Sequence, residues 1–221
     1  MPRIARVIAI GYPHHIVQRG NRRQEVFFKD EDYREYLKIL REYSNKNKLS
    51  IVAYCLMPNH VHLIVIPETK EGLARAIGET HRNYTRMINF REKWRGYLWQ
   101  GRFSSYVMDE KYLYSAAKYI LNNPVKAKIV KMAEEYRWSS IQHHLGRENI
   151  PYISDDMLQG IVDDWGTYLM GDVKKEDVET MRRHERTGRP LGDKTFIGKL
   201  EKNLGIILKK KKPGPKKIAA N

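Results

Sequence analysis

The stretch Tyr54-Cys55-Leu56-Met57-Pro58-Asn59-His60-Val61-His62-Leu63-Ile64-Val65-Ile66 constrains this chain more than any other. Short β-branched and apolar runs flank Pro58-Asn59, which reads as two strands, about 49–57 and 60–66, joined by a tight turn. Side chains alternate across a strand, so His60 and His62 share one face and can hold one cation together. Ile64 and Ile66 continue that face as covered core. The histidines then sit at its mouth, where a coordination position can stay open. Two polar residues satisfied at a strand end are the competing reading.

The pattern on either side supplies the remaining elements. His14 to Gly20 reads as a strand, and Asp30 as the N-cap of a helix over about 30–47 with Tyr33, Leu37, Leu40 and Tyr43 at helical spacing. Leu73, Ile77, Thr80, Tyr84 and Met87 mark a second helix over about 70–90, with Arg75, His81, Arg82 and Arg86 on its other faces. Residues 103–108 read as a fourth strand. The order strand, helix, strand, strand, helix, strand points to a ferredoxin-like α+β fold, an antiparallel sheet with both helices on one face. A third helix is expected over about 110–123, ended by Pro124, and a short one over 136–145. Residues 1–146 then form the main domain and 147–208 a helical extension. Within that extension 150–169 is apolar enough to pack as helix, 171–190 is highly charged, and Phe196, Leu200, Leu204 and Leu208 mark an amphipathic helix. The lysine-rich stretch 209–221 should be a disordered basic tail when free.

Charge decides the class of partner. A formal net charge of +15 and a pI near 9.8 suit a polyanion, because lysines and arginines that neutralise phosphates release condensed counterions. Nucleic acid is the expected partner. No apolar run approaches the ~20 residues that a membrane helix needs, and the basic residues are interleaved with aromatics over much of the chain. The single cysteine, Cys55, excludes a disulfide framework and a cysteine metal cluster. A soluble, cytoplasmic, nucleoid-associated protein is expected.

Tyr119 and Asn123 stand one helical step of four apart and share a surface. Beside two metal-binding histidines this pair acquires a chemical meaning. A metal can polarise a phosphodiester, Asn123 can add an oxygen ligand, and Tyr119 can attack phosphorus. A half-buried structural aromatic is the competing reading of Tyr119. Tyr112 shares its face but has Ala116 four residues later, and Tyr114 lies on the opposite side of the helix.

Several of these segments resemble one family, the REP-associated tyrosine transposases of the HUH single-strand transposase class. The resemblance is carried by His60-Val61-His62 after Met57-Pro58-Asn59, by Trp99-Gln100-Gly101-Arg102-Phe103, by Tyr119 with Asn123-Pro124-Val125, by Tyr136-Arg137-Trp138-Ser139-Ser140, and by His15-Ile16-Val17-Gln18-Arg19-Gly20-Asn21. It spans about the first 145 residues. It implies that His60, His62 and Asn123 bind a divalent ion, and that Tyr119 attacks single-stranded DNA beside a hairpin. The product would be a 5′-phosphotyrosine link and a free 3′-hydroxyl. Two imidazoles and an amide suit magnesium, manganese or zinc. Because phosphoryl transfer needs open positions for substrate oxygens, Mg2+ or Mn2+ is expected. Related enzymes can share active sites between copies, which leaves open a homodimer in which Tyr119 serves its partner's histidines.

Gln18, Arg19, Arg22, Arg23, Arg82, Arg86, Trp99 and Arg102 are candidate phosphate contacts or stacking platforms for DNA. For Trp99, as for Trp138, core packing is the stronger reading. Gly-Arg-Pro at 188–190 and Pro213-Gly214-Pro215-Lys216-Lys217 loosely resemble minor-groove hooks, with a nonspecific basic tail the simpler account. Two other functions compete with strand transfer. One is a transposase-derived regulator that binds hairpin DNA without turnover, and the other is an unrelated metal hydrolase in which Tyr119 is incidental.

Overall fold

Four strands, β1 (His14–Arg19), β2 (Leu49–Met57), β3 (His60–Pro67) and β4 (Ser104–Val107), form one antiparallel sheet in the order β2-β3-β1-β4. The computed structural model describes residues 5–154, 157–158, 162, 164–171 and 173–208. Pro58 and Asn59 form the turn between β2 and β3, with Met57 opposite His60. A bulge between Ile51 and Ala53 shifts the register, so that Val52 and Ala53 both join the core on one face.

Two helices, α1 (Asp30–Lys46) and α2 (Gly72–Glu92), cover one face of the sheet. Tyr36, Leu40, Ile77 and Tyr84 are fully buried there against Ile16, Leu56, Leu63 and Val65. α1 is capped differently from the sequence reading. Lys29 is the N-cap, and Asp32 accepts from the backbone amides of Phe28 and Lys29. The same carboxylate pairs with Arg91 near the end of α2, which ties the two helices together.

The opposite face is covered by α3 (Glu110–Leu121), α4 (Asn123–Lys126) and parts of the C-terminal segment. Asp109 caps α3 through the Tyr112 amide. Helical backbone breaks at Asn122 and resumes, since Pro124 fits the first turn of a new helix, where no amide donor is needed. Tyr119 and Asn123 therefore sit on two helical pieces and not on one.

Residues 136–140, read from sequence as helix, extend along β2. The Leu56 amide donates to Trp138 O (2.8 Å) and the Ser140 amide to Tyr54 O (3.0 Å). The exposed edge of β2 needs partners, and this segment supplies them. Helix is confined to α5 (Ile141–His144). Residues 150–154 are likewise not helical, as Ile153 bridges to Ile51. Helix returns in α6 (Trp165–Met170), α7 (Lys175–Thr187) and α8 (Lys194–Leu204). Phe196 and Leu200 of α8 bury against Val7, Ala9 and Val107. The basic tail 209–221 lies outside the described residues. Among the described residues no helix is long and apolar enough to cross a membrane.

Candidate active site

Sheet register determines which side chains reach the α3 face. His15 stands opposite Ile64, Val17 opposite His62 and Arg19 opposite His60, so these six share a face. Ile64 is fully buried and Ile66 packs beside it, which leaves His60 and His62 at the end of the covered stripe. His60 is partly exposed and His62 is 1% exposed.

The two imidazole rings stand 4.9 Å apart between centroids. From α3 the Tyr119 ring meets His62 edge-on at 5.8 Å, and from α4 the Asn123 Nδ2 lies 3.1 Å from His62 Nε2. The four residues singled out by spacing thus converge within one fold layer. Lys126 places its ammonium 5.4 Å from the Tyr119 ring centroid.

His15 enters this group with a defined role that the sequence pattern did not reveal. With Asn123 Nδ2 as the atom facing it, His62 Nε2 is the acceptor and carries the lone pair, which places the proton at Nδ1; a metal ion at Nε2 would require the same tautomer. That proton points to His15 Nε2 at 2.9 Å, and His15 Nδ1 then donates to the Tyr106 hydroxyl at 2.8 Å. The chain Tyr106–His15–His62 orders one tautomer of the candidate ligand. Only the register of β1 against β3 and β4 reveals it.

Electrostatics keep the imidazoles neutral. Burial, aided by the Arg19 charge, pushes His60 down to about 4. Burial alone takes His15 down to about 3. His62 is lowered well below the usual range by burial and then by its neighbours His60, His15 and Arg19. Neutral rings with directed lone pairs are what a metal site requires. Among the described residues no group of three or more His, Cys, Asp or Glu is placed to hold a metal. The donors available at this point are His60, His62 and the Asn123 amide, which presents Nδ2 to His62 and would have to turn its oxygen inward to act as a ligand. These residues fit a hard or borderline divalent ion with open positions.

A cleft of about 1000 Å³ opens over these groups, lined by Arg19, Arg23, Asn59, His60, His62, Tyr119 and Asn123. Its other wall is α7, which contributes Glu176, Glu179, Thr180, Arg182, Arg183, Glu185 and Arg186. Burial raises the Glu185 carboxyl against the opposing pull of Arg19, Arg182 and Arg186. The charged run 171–190 was legible as charged, but nothing local in it indicated that it folds back onto the histidines.

The candidate DNA contacts separate by layer. Arg19 and Arg23 line the cleft, and Arg22 is exposed beside Arg23. Arg22 and Arg23 both adopt left-handed backbone, φ 52° and 63°, an unfavourable conformation held by the surrounding loop. Arg102 is exposed just before β4. Gln18 points to the α1 and α2 side, where it is 3% exposed and donates to Gly101 O. Trp99 is 6% exposed and packs against Tyr36, His81 and Tyr84, which places its ring in the core, as the packing reading expected. Arg82 and Arg86 stand on the outer side of α2, across the sheet from the histidines, and Arg82 pairs with Glu79.

A family model described as Transposase IS200 like matches residues 10–123, from just before β1 to Asn123. A Haemophilus influenzae protein assigned as a REP-associated tyrosine transposase is 29% identical over 126 residues, which cover 52% of this chain and 65% of that protein. The chain thus spans just under two thirds of that relative's length. A solved REP-associated tyrosine transposase bound to a REP hairpin superposes with a TM-score of 0.57 at 21% identity, covering 70% of this chain and 93% of the other. That likeness is one of fold.

Proposed function

Because the chain belongs to the IS200-like transposase family, we propose that it cuts and rejoins single-stranded DNA beside hairpins through a covalent bond to Tyr119. The observation that carries this reading is the convergence of Tyr119 and Asn123 on the His60–His62 pair inside a cationic cleft. The Tyr119 oxygen attacks phosphorus, a phosphorus–oxygen bond forms, and the bond to the 3′ oxygen breaks. The 3′ oxygen leaves as a hydroxyl after taking up a proton. Another 3′-hydroxyl reverses the step, so strands are rejoined without an energy cofactor.

His60, His62 and Asn123 would hold Mg2+ or Mn2+, which supplies Lewis-acid polarisation of phosphate oxygens. His15 keeps the His62 lone pair aimed at the cleft. Arg19 and Arg23 bind the flanking phosphates, and Lys126 lies over the Tyr119 ring. Hairpin binding by the structural relative supports a hairpin as the DNA partner.

The test mixes the full chain, or its Tyr119→Phe variant, with labelled single-stranded oligonucleotides from the flanks of its own gene. Reactions contain Mn2+ or EDTA and are run on denaturing gels. A Mn2+-dependent protein–DNA adduct that is absent in Tyr119→Phe is expected. Hairpin binding with no adduct would instead identify a regulator, and an adduct that survives Tyr119→Phe would move the nucleophile to another tyrosine.

A further inference from the structure

The loop between α2 and β4 carries aromatic rings in an unusual place. Tyr97 is 86% exposed, Phe90 at the end of α2 is 88% exposed and Trp94 is 46% exposed. Poor anchoring does not account for this. Leu98 and Trp99, the next two residues, are buried at 1% and 6%, and the Gly96 carbonyl accepts from Asn89 Nδ2 at 2.9 Å. Trp94 is braced edge-to-face against Phe28 at 5.5 Å. The loop is fixed on its inner side while Tyr97 is turned outward. Large apolar side chains held out to solvent on an anchored segment mark an interaction site.

Its neighbours identify the partner. The loop is stitched to the loop after β1, with the Asn21 amide donating to Leu98 O at 2.8 Å, the Gln100 amide to Arg19 O at 2.7 Å, and Gly20 bridging to Trp99. Asn59, in turn, accepts from Gly20 through its carbonyl and donates to Arg23 O through its side chain. Arg19, Arg23 and Asn59 line the cleft over His60. The aromatic loop is therefore joined through its backbone to the loop that supplies Arg19 and Arg23 to the cleft, and it carries Lys93, Arg95 and Arg102, with Glu92 the one acid between residues 91 and 102. Cations interleaved with exposed aromatic rings bind the backbone and the π-faces of an unpaired strand, which a duplex keeps stacked inside.

We propose that Tyr97, braced by the Trp94 segment, is a stacking platform for unpaired bases and carries the single-stranded DNA that runs from the cleft across the 93–102 loop. Identification of that strand as the one flanking the cut phosphate rests on the strand-transfer reading, but the platform itself does not. Stacking is tolerant of sequence, so the platform serves any unpaired bases while specificity lies elsewhere.

The test titrates fluorescein-labelled oligo(dT) into the full chain carrying Tyr119→Phe, in EDTA, and follows anisotropy. Adding Tyr97→Ala is expected to weaken binding about 5- to 100-fold, the loss of a stacked base or two, whereas Tyr97→Phe stays within about twofold. Binding to a blunt hairpin of equal phosphate count should be unchanged by Tyr97→Ala, which also shows that the variant is folded. Three results would overturn the platform: undiminished oligo(dT) binding by Tyr97→Ala, an equal loss on the blunt hairpin, or a parent protein that ignores oligo(dT). Failure of the platform with a normal Tyr119 adduct leaves strand transfer standing. A Tyr97-dependent oligo(dT) complex with no adduct in the wild type does the reverse.

Discussion

At the scale of single residues, two buried side chains control more than their own packing. His15 is buried behind the proposed ligands, with its ring edge-on to Tyr119 at 6.4 Å, and it orders which nitrogen of His62 carries the proton. Replacing it by Leu keeps the volume and removes the acceptor. A group that hydrogen-bonds the far nitrogen of a ligating imidazole is worth about 10- to 100-fold in metal affinity, so His15→Leu should weaken Mn2+ binding by that factor in isothermal titration. His15→Gln, whose carbonyl can still accept, should recover part of it. Equal Mn2+ affinity in all three proteins would remove His15 from the site. Asp32 plays a comparable part in the scaffold. Burial opposes its ionisation, but hydrogen bonds from Arg91 and from the Phe28 amide outweigh it, and its carboxyl titrates below the usual range. A carboxyl depressed in the folded state adds stability above its unfolded value, near ~3.9, and loses that contribution as pH falls through the folded value. Asp32→Asn should therefore cost about 2 to 4 kcal/mol at pH 7. In urea melts the gap between variant and wild type should close below pH ~4. A gap that persists there would mean that packing, and not the ion pair with Arg91, carries the effect.

At the scale of elements, the loop after β1 sets where Arg19, Arg22 and Arg23 stand. A Cβ added to Gly20 would lie 2.2 Å from the Gln24 carbonyl oxygen, a backbone atom that cannot move without opening the turn. Gly20→Ala should destabilise the fold by about 1 to 3 kcal/mol, read as a lowered Tm. It should also weaken DNA binding more than its stability loss explains, because Arg22 and Arg23 are already held in left-handed backbone. A normal Tm would show that the turn relaxes. The contrast between this loop and the hairpin around Pro58 shows what was legible beforehand. The shared face of His60 and His62 follows from a period of two, and the meeting of Tyr119 with Asn123 from a step of four, so both are visible in a few consecutive residues. The helix break at Asn122 preserved that meeting, although it was not foreseen, because proline tolerates the start of a helix as well as ending one. Tyr136-Arg137-Trp138-Ser139-Ser140 defeated local reading for the opposite reason. Its conformation is dictated by the unpaired edge of β2, more than 80 residues away in sequence.

At the scale of the whole molecule, the +15 charge becomes informative only when it is divided between layers. Arg19 and Arg23 come from the first strand and its loop, and Arg182, Arg183 and Arg186 from α7 near the other end of the chain, yet both sets face one cleft. Arg82 and Arg86 carry the same charge on the outer side of α2, across the sheet. Counterion release counts phosphate contacts and not total charge: the slope of log K against log salt falls by about 0.7 for each contact to single-stranded DNA. Arg19→Gln and Arg183→Gln should each lower the magnitude of that slope for oligo(dT) by about 0.7, and the double variant by about twice as much. Arg82→Gln should leave the slope unchanged, although it removes the same unit of charge. A loss in Arg19→Gln without one in Arg183→Gln would make α7 a wall that the strand does not touch. Equal losses in all three variants would mean that the DNA wraps beyond the cleft onto the α2 layer. The slope thus tests whether the two ends of the chain were brought together to grip one strand.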